Sequence, residues 1–198
     1  MGLSCSREIT DRLGLTEKMK DQNTRMVYLC NQEGEEMSSG AMRGVPEVKP
    51  VLTAETREII LASWEIIKKD IERVGVVMFM GLLEDPDVKG TFMDFRDKTA
   101  EELRASTALR SHVLRVMGAV EKVVARMDSE DKVVTLLHDL GQRHVVYNAR
   151  PEFLDLVGPQ FNTAIQPALG DRWTPEVEQA WADLFRYITH LMKETMVM

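Results

Sequence analysis

Residues 133–144 read VVTLLHDLGQRH, and this stretch gives the strongest indication of the fold. Leu140 and Leu137 lie one and two turns before His144, so the three side chains share one face of a helix. Apolar residues that repeat at this spacing usually face a core. We therefore expect the imidazole of His144 to point inward from the end of an apolar stripe.

A second histidine has similar surroundings. The sequence LRSHVLRVM places His112 on the same helical face as Val116, on the apolar side of an amphipathic helix. His138 and His190 differ, because most of their neighbours at helical spacing are polar or charged. We expect His138 to lie on a mostly polar face and His190 to be solvated. Two inward-facing histidines on two different helices remain.

The chain from Thr53 onward shows amphipathic periodicity interrupted by turn residues, with neither strand-like alternation nor internal repeats. Thr53 and Thr174 are suited to cap helices, and Pro175 to stand in a first helical turn. We predict an all-α domain with about six main helices. These are a helix after Thr53, Val74–Leu83, Ser106–Met127, Ser129–His144, a helix that starts at Pro151, and a last helix after Thr174.

The composition limits the partners that the chain can bind. Its formal net charge of −7 argues against a broad nucleic-acid surface, which needs clustered Lys and Arg. No apolar run approaches the roughly 20 residues of a membrane-spanning helix. Both cysteines, Cys5 and Cys30, are close to the N terminus, so no disulfide framework can hold the rest of the chain. A reduced, cytosolic protein is the simplest interpretation of that cysteine usage.

Residues 1–50 differ in composition from the rest of the chain, with scattered apolar residues and many amides, serines and glycines. Such a segment buries too little apolar surface to offset the entropy of ordering. We predict a flexible extension followed by one domain over residues 51–198. The first six residues, MGLSCS, fit an N-myristoylation signal, with Gly2 as the acylated amine and Ser6 at the favoured hydroxyl position. Cys5 lies where a palmitoyl chain is often added.

Stable membrane attachment would need both lipids, because a single myristoyl chain binds membranes only marginally. Residues 7–25 hold five basic and four acidic side chains, so a polybasic patch is a weak substitute for the second chain. Gly2 and Cys5 together therefore predict a protein anchored at the cytoplasmic face of the plasma membrane. The alternative is an accidental glycine at position 2 and a cytosolic protein.

A buried imidazole needs a partner, because an unpaired polar group in an apolar site costs a few kcal/mol. For His112 or His144 alone, the usual partner is a backbone carbonyl. For the pair, a shared metal is the alternative, but two histidines are too few for structural zinc. Haem needs only one or two axial ligands from the protein, so it suits this pair better. A di-metal carboxylate enzyme would need an acid three residues before each histidine, and neither has one.

Several motifs in residues 53–198 resemble the globin family. The most specific part of the resemblance is the order of one proline, one phenylalanine and two histidines at globin intervals. The matching stretches are Trp64 with Val74–Phe79, Pro86 followed by Phe92, Leu109–Met117 around His112, Leu140–His144, and Ala180–Phe185. Within the family, the sequence of Gly75–Leu83 and the predicted acylation resemble those of globin X, in the neuroglobin-like group.

The resemblance implies a globin fold around haem b (iron protoporphyrin IX), with His144 as the proximal iron ligand and His112 on the distal side. His144 is then expected to donate its second N–H to a backbone carbonyl. His112 has two alternative roles, as a hydrogen-bond donor to bound O2 or as a sixth iron ligand that external ligands displace. The remaining haem contacts are implied for Phe92, Phe79 (with Met78 as its alternative), Val116, Leu140, and Arg115 as the partner of a propionate. Arg115 can equally be an ordinary surface residue.

For function, the globin X resemblance implies a membrane-tethered globin in redox or gas-ligand chemistry, by electron transfer or by reaction with nitrite, NO or reactive oxygen species. The expected partners are O2, CO, NO or nitrite, a membrane, and a reductase. Reversible O2 storage or transport is the alternative, although bulk storage gains nothing from a tether. An interaction module that has lost haem is disfavoured, because Phe92, His112 and His144 are all present. Nitrite reductase or peroxidase-like turnover is expected only as a side activity.

Overall fold

A computed structural model describes residues 49–196 of the chain. These residues form eight α-helices joined by turns and three short 3₁₀ segments, and no β-strand occurs among them. The predicted all-α class is confirmed. The α-helices are α1 (Ala54–Ile67), α2 (Ile71–Leu82), α3 (Pro86–Thr91), α4 (Ala100–Ala105), α5 (Thr107–Val124), α6 (Glu130–Val146), α7 (Val157–Leu169) and α8 (Pro175–Glu194). The 3₁₀ segments are Lys68–Asp70, Pro151–Leu156 and Gly170–Arg172.

Hydroxyl side chains cap the N termini of α1, α5 and α8. The Thr53 hydroxyl oxygen accepts a hydrogen bond from the Thr56 N–H at 3.1 Å at the start of α1. Thr174 caps α8 by accepting from the Val177 N–H at 3.4 Å. Ser106 caps α5 in the same way. Each bond satisfies a backbone donor that a helix N terminus leaves without an intrahelical partner, so the chain enters these helices where the sequence predicts.

Several helix boundaries differ from the predicted ones. Helix α2 begins at Ile71, three residues earlier than predicted, and α5 ends at Val124, before the predicted Met127. Helix α6 continues two residues beyond His144. The segment that starts at Pro151 is 3₁₀ for six residues before α7 begins. The short helices α3 and α4 are additional, because six residues are too few to show helical periodicity.

Helix α2 lies between α5 and α7 and contacts both closely. Gly75 makes the approach to α5 possible: a Cβ at this position would lie 2.3 Å from Val113 Cγ1 and 2.9 Å from Met117 Cγ. Both of those side chains are fully buried, so neither can move aside without disturbing the core. The absence of a side chain at Gly75 therefore sets the distance between α2 and α5.

An aromatic cluster holds α1 and α7 against α8. Trp181 of α8 is fully buried, and its Nε1–H donates to the Ser63 hydroxyl oxygen of α1 at 3.0 Å. Its ring centroid lies 5.9 Å from that of Trp64 and 4.8 Å from that of Phe161. Helix α8 also packs along α6, so it joins the helix that carries His144 to the rest of the core.

The residues of the predicted acylation signal, Gly2, Cys5 and Ser6, lie outside the described residues, as do Cys30 and the rest of residues 1–48 of the predicted extension. Within residues 49–196, no helix is both long enough and apolar enough to cross a membrane.

Candidate functional site

A cavity of about 160 Å³ opens among α2, α5, α6, α7 and α8. Most of its lining is aliphatic or aromatic. His112 of α5 and His144 of α6 are the two imidazoles that line it. The structure therefore brings together, in one apolar cavity, the two histidines that the helix faces single out as inward-facing.

His144 is half-buried, and its orientation is fixed from its own helix. Its Nδ1 lies 2.8 Å from the Leu140 carbonyl oxygen, so Nδ1–H donates to that carbonyl. The hydrogen bond expected from His144 to a backbone carbonyl is thus present. In this tautomer Nε2 carries the free lone pair, and it makes no hydrogen bond with any of residues 49–196. An imidazole with one nitrogen oriented and the other available is well suited to bind a metal.

His112 is held by aromatic rings. Its ring centroid lies 4.9 Å from that of Phe79 and 5.6 Å from that of Phe92, and both rings meet it nearly at right angles. Burial and, to a smaller extent, the nearby Arg115 and His144 side chains lower the pKa of His112 from 6.5 to about 4. The imidazole is therefore neutral at physiological pH. No residue in the described part of the chain hydrogen-bonds to either of its ring nitrogens.

The apolar residues predicted to contact a cofactor surround the two histidines. Those that line the cavity are Phe79, Phe92, Val116 and Leu140. Met78, the alternative to Phe79, is fully buried but lies outside the lining. Arg115 is exposed on α5 and also lies outside the lining, although it is close enough for its charge to act on His112.

Arg150 lines the cavity and has no counterpart among the predicted site residues. Its side chain is 57% exposed, so it lies where the cavity opens to solvent. The guanidinium carbon lies 4.6 Å from the ring centroid of Phe153 and the guanidinium pairs with Glu152. The sequence contains one related signal: Pro151 marks the start of a helical segment directly after Arg150. That signal does not predict which way the Arg150 side chain points.

Helix α8 forms one wall of the cavity, and the helical periodicity of the sequence does not predict this. The lining residues from this helix are Phe185, Ile188, Thr189 and Met192.

The position of His190 on α8 differs from the prediction. The His190 side chain is only 14% exposed, with Nε2 3.4 Å from a Glu194 carboxylate oxygen, so the prediction that it is solvated is wrong. Spacing shows the polar neighbours of His190 on its own helix but not α6, which packs along α8.

The residues around the cavity fit haem. The imidazoles of His112 and His144 would bind the iron, the aromatic and aliphatic walls match a flat apolar ring, and Arg150 offers a cation at the opening for a carboxylate. Across residues 49–196, no group of three or more His, Cys, Asp or Glu side chains is arranged to hold a bare metal ion.

Comparison with known proteins agrees with this site. The family model described as Globin matches residues 77–192. A neuroglobin of Tetraodon nigroviridis is 25% identical over 143 residues, which cover 71% of this chain and 90% of that protein. A cytoglobin-1 of Oryzias latipes is 30% identical over 136 residues, which cover 67% of this chain and 77% of that protein. The resemblance to the neuroglobin-like group is confirmed.

Solved structures show the same fold. A hexacoordinated haem protein of an anhydrobiotic tardigrade superposes with a TM-score of 0.69 at 24% identity and covers 73% of this chain and 95% of its own. The azide complex of Aplysia limacina myoglobin superposes with a TM-score of 0.66 at 21% identity, covering 74% and 100%. At these identities the likeness shows the fold alone, and it is the predicted globin fold. With the family match and the cytoglobin relative, these findings establish that the chain belongs to the globin family as a haem-binding globin.

Proposed function

We propose that this globin binds haem b through His144 and, reversibly, through His112, and that it works in redox or gas-ligand chemistry beside a membrane. One observation carries the first part. Both imidazoles line one apolar cavity, and each has a ring nitrogen that no residue of the range 49–196 engages. These nitrogens are accessible from the cavity, and the iron of a bound haem would supply a partner for each ring.

His144 supplies the permanent ligand in this proposal. Because its Nδ1–H is donated to the Leu140 carbonyl at 2.8 Å, the ring cannot rotate freely, and Nε2 is the nitrogen left to bind iron. The same bond increases the electron density on the ring and hence its basicity as a ligand. Bound haem supplies iron that takes up small gases such as O2 and changes between ferrous and ferric states.

His112 supplies the displaceable ligand. Its pKa of about 4 keeps the ring neutral, so a lone pair is available over the whole physiological pH range. The rings of Phe79 and Phe92 position it by apolar contact. If His112 occupies the sixth iron site most of the time, the apparent affinity for external ligands falls in proportion to the fraction of open sites. Such a globin suits chemistry at the iron better than bulk O2 storage.

The walls and the opening of the cavity complete the site. Phe92 and Val116 keep water away from the two imidazoles, and Leu140 packs beside His144. At the opening, the exposed Arg150 guanidinium, which pairs with Glu152, would also be within reach of a haem carboxylate. Arg115 remains a second candidate for that role.

The membrane part of the proposal rests on the sequence alone, through Gly2 and Cys5. With both acylated, a globin held at the cytoplasmic face of the plasma membrane would meet O2, NO, nitrite or lipid peroxides there, and a membrane-bound reductase could return it to the ferrous state.

Gly2→Ala should release the protein from membranes, and Cys5→Ser should make attachment reversible, whereas Ser4→Ala should change neither. Unchanged membrane attachment of Gly2→Ala would refute the tether.

The ligand assignment is tested by removing the proximal imidazole. His144→Gly should lose haem rapidly, and added imidazole should restore its retention and spectrum, because the free ligand fills the space of the deleted ring. Gln142→Gly introduces the same backbone change at an exposed position of α6 and should retain haem. Retention of haem by His144→Gly in the absence of imidazole would show that another residue binds the iron.

A further inference from the structure

The last turn of α8 and the residue that follows it, Thr195, contact α6 on both sides of Leu140. The hydroxyl oxygen of Thr195 lies 3.0 Å from the His138 carbonyl oxygen of α6 and 3.1 Å from the Met192 carbonyl oxygen of its own helix. A hydroxyl carries one proton, so this proton is shared between the two carbonyls. Thr195 thereby joins the C-terminal end of α8 to the backbone of α6.

Gly141, the residue after Leu140, brings the backbones of α6 and α8 into direct contact. A Cβ at Gly141 would lie 2.3 Å from the Met192 carbonyl oxygen and 2.4 Å from the Thr195 hydroxyl oxygen. The nearer of these atoms belongs to the backbone, which cannot move aside as a flexible side chain can. Helix α6 therefore packs at Gly141 against the Met192 carbonyl and the Thr195 hydroxyl, with no side chain of its own in between.

A third contact between α6 and α8 lies nearer the protein surface. His138 donates Nε2–H to a Glu194 carboxylate oxygen at 2.8 Å, and the other oxygen lies 3.4 Å from His190 Nε2. The His138 and Glu194 side chains are 34% and 43% exposed, so water screens their attraction and the pair contributes little energy. The contacts of Thr195 and Gly141 are the ones that fix α6.

We propose that Thr195 is a positioning residue for the His144 imidazole. This inference rests on the proposed function, in which His144 binds iron. Leu140 lies between the two α6 residues that α8 holds, His138 and Gly141, and its carbonyl accepts the Nδ1–H of His144. When α8 holds the α6 backbone in place, the acceptor that orients the imidazole is held as well. Thr195 acts through Leu140 and does not itself touch the cofactor.

The test compares Thr195→Val, which removes the hydroxyl at constant shape, with Thr195→Ser, which keeps it. Thr135→Val is the matched control, because Thr135 donates its hydroxyl to the Asp131 carbonyl within α6 and not across to α8. Thr195→Val should transfer haem to excess apomyoglobin about tenfold faster than the wild type. In the haem-free protein, its His144 Nδ1 proton should exchange with water faster, as measured by NMR. Thr195→Ser and Thr135→Val should match the wild type in both measurements.

Wild-type haem transfer and proton exchange in Thr195→Val would overturn the inference while leaving the proposed function intact. Equal acceleration in Thr135→Val would also overturn it, because the effect would then reflect α6 in general. If Thr195→Val loses helical content, Thr195→Ala takes its place with the same expected results. Failure of the proposed function is recognised separately, by haem retention in His144→Gly, and the NMR measurement on the haem-free protein still decides whether Thr195 orients the ring.

Discussion

The ring of Phe79 meets the imidazole of His112 at 87°, with the two ring centroids 4.9 Å apart. Phe92 meets the same imidazole at 81° and 5.6 Å. Contacts of this kind restrict the position of a ring without occupying its nitrogens, in contrast to the hydrogen bond that orients His144. The two histidines are thus held in different ways, as a displaceable and a permanent ligand would need to be.

The buried state of His112 predicts a pH-dependent stability of the haem-free protein. The pKa is lowered from 6.5 to about 4 on folding, so between these values the unfolded chain binds a proton that the folded protein does not. The free energy of unfolding should therefore fall as the pH drops through this window, by at most about 3 kcal/mol from this group, since part of the ring is screened by solvent. Urea denaturation at pH values above and at the bottom of the window measures the loss.

His112→Leu supplies the control for that measurement, because it removes the titrating group and keeps an apolar side chain. Its free energy of unfolding should depend less on pH than that of the wild type across the same window. An equal loss of stability in both proteins would show that other groups account for the pH dependence.

Gly75 and Gly118 make a matched pair for testing the packing of α2 on α5. A Cβ at Gly75 would lie 2.3 Å from Val113 Cγ1, whereas a Cβ at Gly118 meets nothing within 4 Å. Gly75→Ala should lower the free energy of unfolding by about 1–3 kcal/mol through overpacking. Gly118→Ala should raise it by up to about 1 kcal/mol, because alanine is the better helix former. Chemical denaturation measures both, and a stabilised Gly75→Ala would contradict the close approach of the helices.

Arg150 and Arg115 can be compared as partners of a haem carboxylate. Arg150 lines the cavity at its opening, whereas Arg115 is exposed outside the lining. Arg150→Gln should speed haem loss about two- to fivefold, as expected for an exposed charge pair, and Arg115→Gln should have a smaller effect. Transfer of haem to apomyoglobin measures both rates. A larger effect at Arg115 would return the role to the residue that the sequence suggests.

Much of the site follows from the sequence because it depends on local geometry. The inward direction of His112 and His144 is a property of each helix alone, and spacing of three or four residues reveals it. The hydrogen bond from His144 to Leu140 is equally local, since donor and acceptor are one turn apart. The boundaries are less well predicted: the helix expected from Pro151 begins as a 3₁₀ segment, which has no distinct apolar pattern.

The remaining features depend on how helices pack, and sequence spacing does not contain that information. Arg150 faces the cavity after a turn in which Asn148 adopts a left-handed conformation, with φ of 58°. Thr189 lines the cavity because α8 packs along α6. The same packing buries most of His190, which has polar neighbours on its own helix. The positions of Thr189 and His190 are fixed by contacts between distant parts of the chain.

The pair of histidine ligands is tested most directly by the absorption spectrum of the ferrous protein with and without CO, recorded for the wild type and for His112→Leu. The wild type should show sharp low-spin bands, and CO should replace His112 slowly, at a rate set by dissociation of the imidazole. His112→Leu should show a five-coordinate, high-spin spectrum and bind CO rapidly. A high-spin spectrum of the ferrous wild type, or an unchanged low-spin spectrum of His112→Leu, would contradict the assignment of His112 as the second iron ligand.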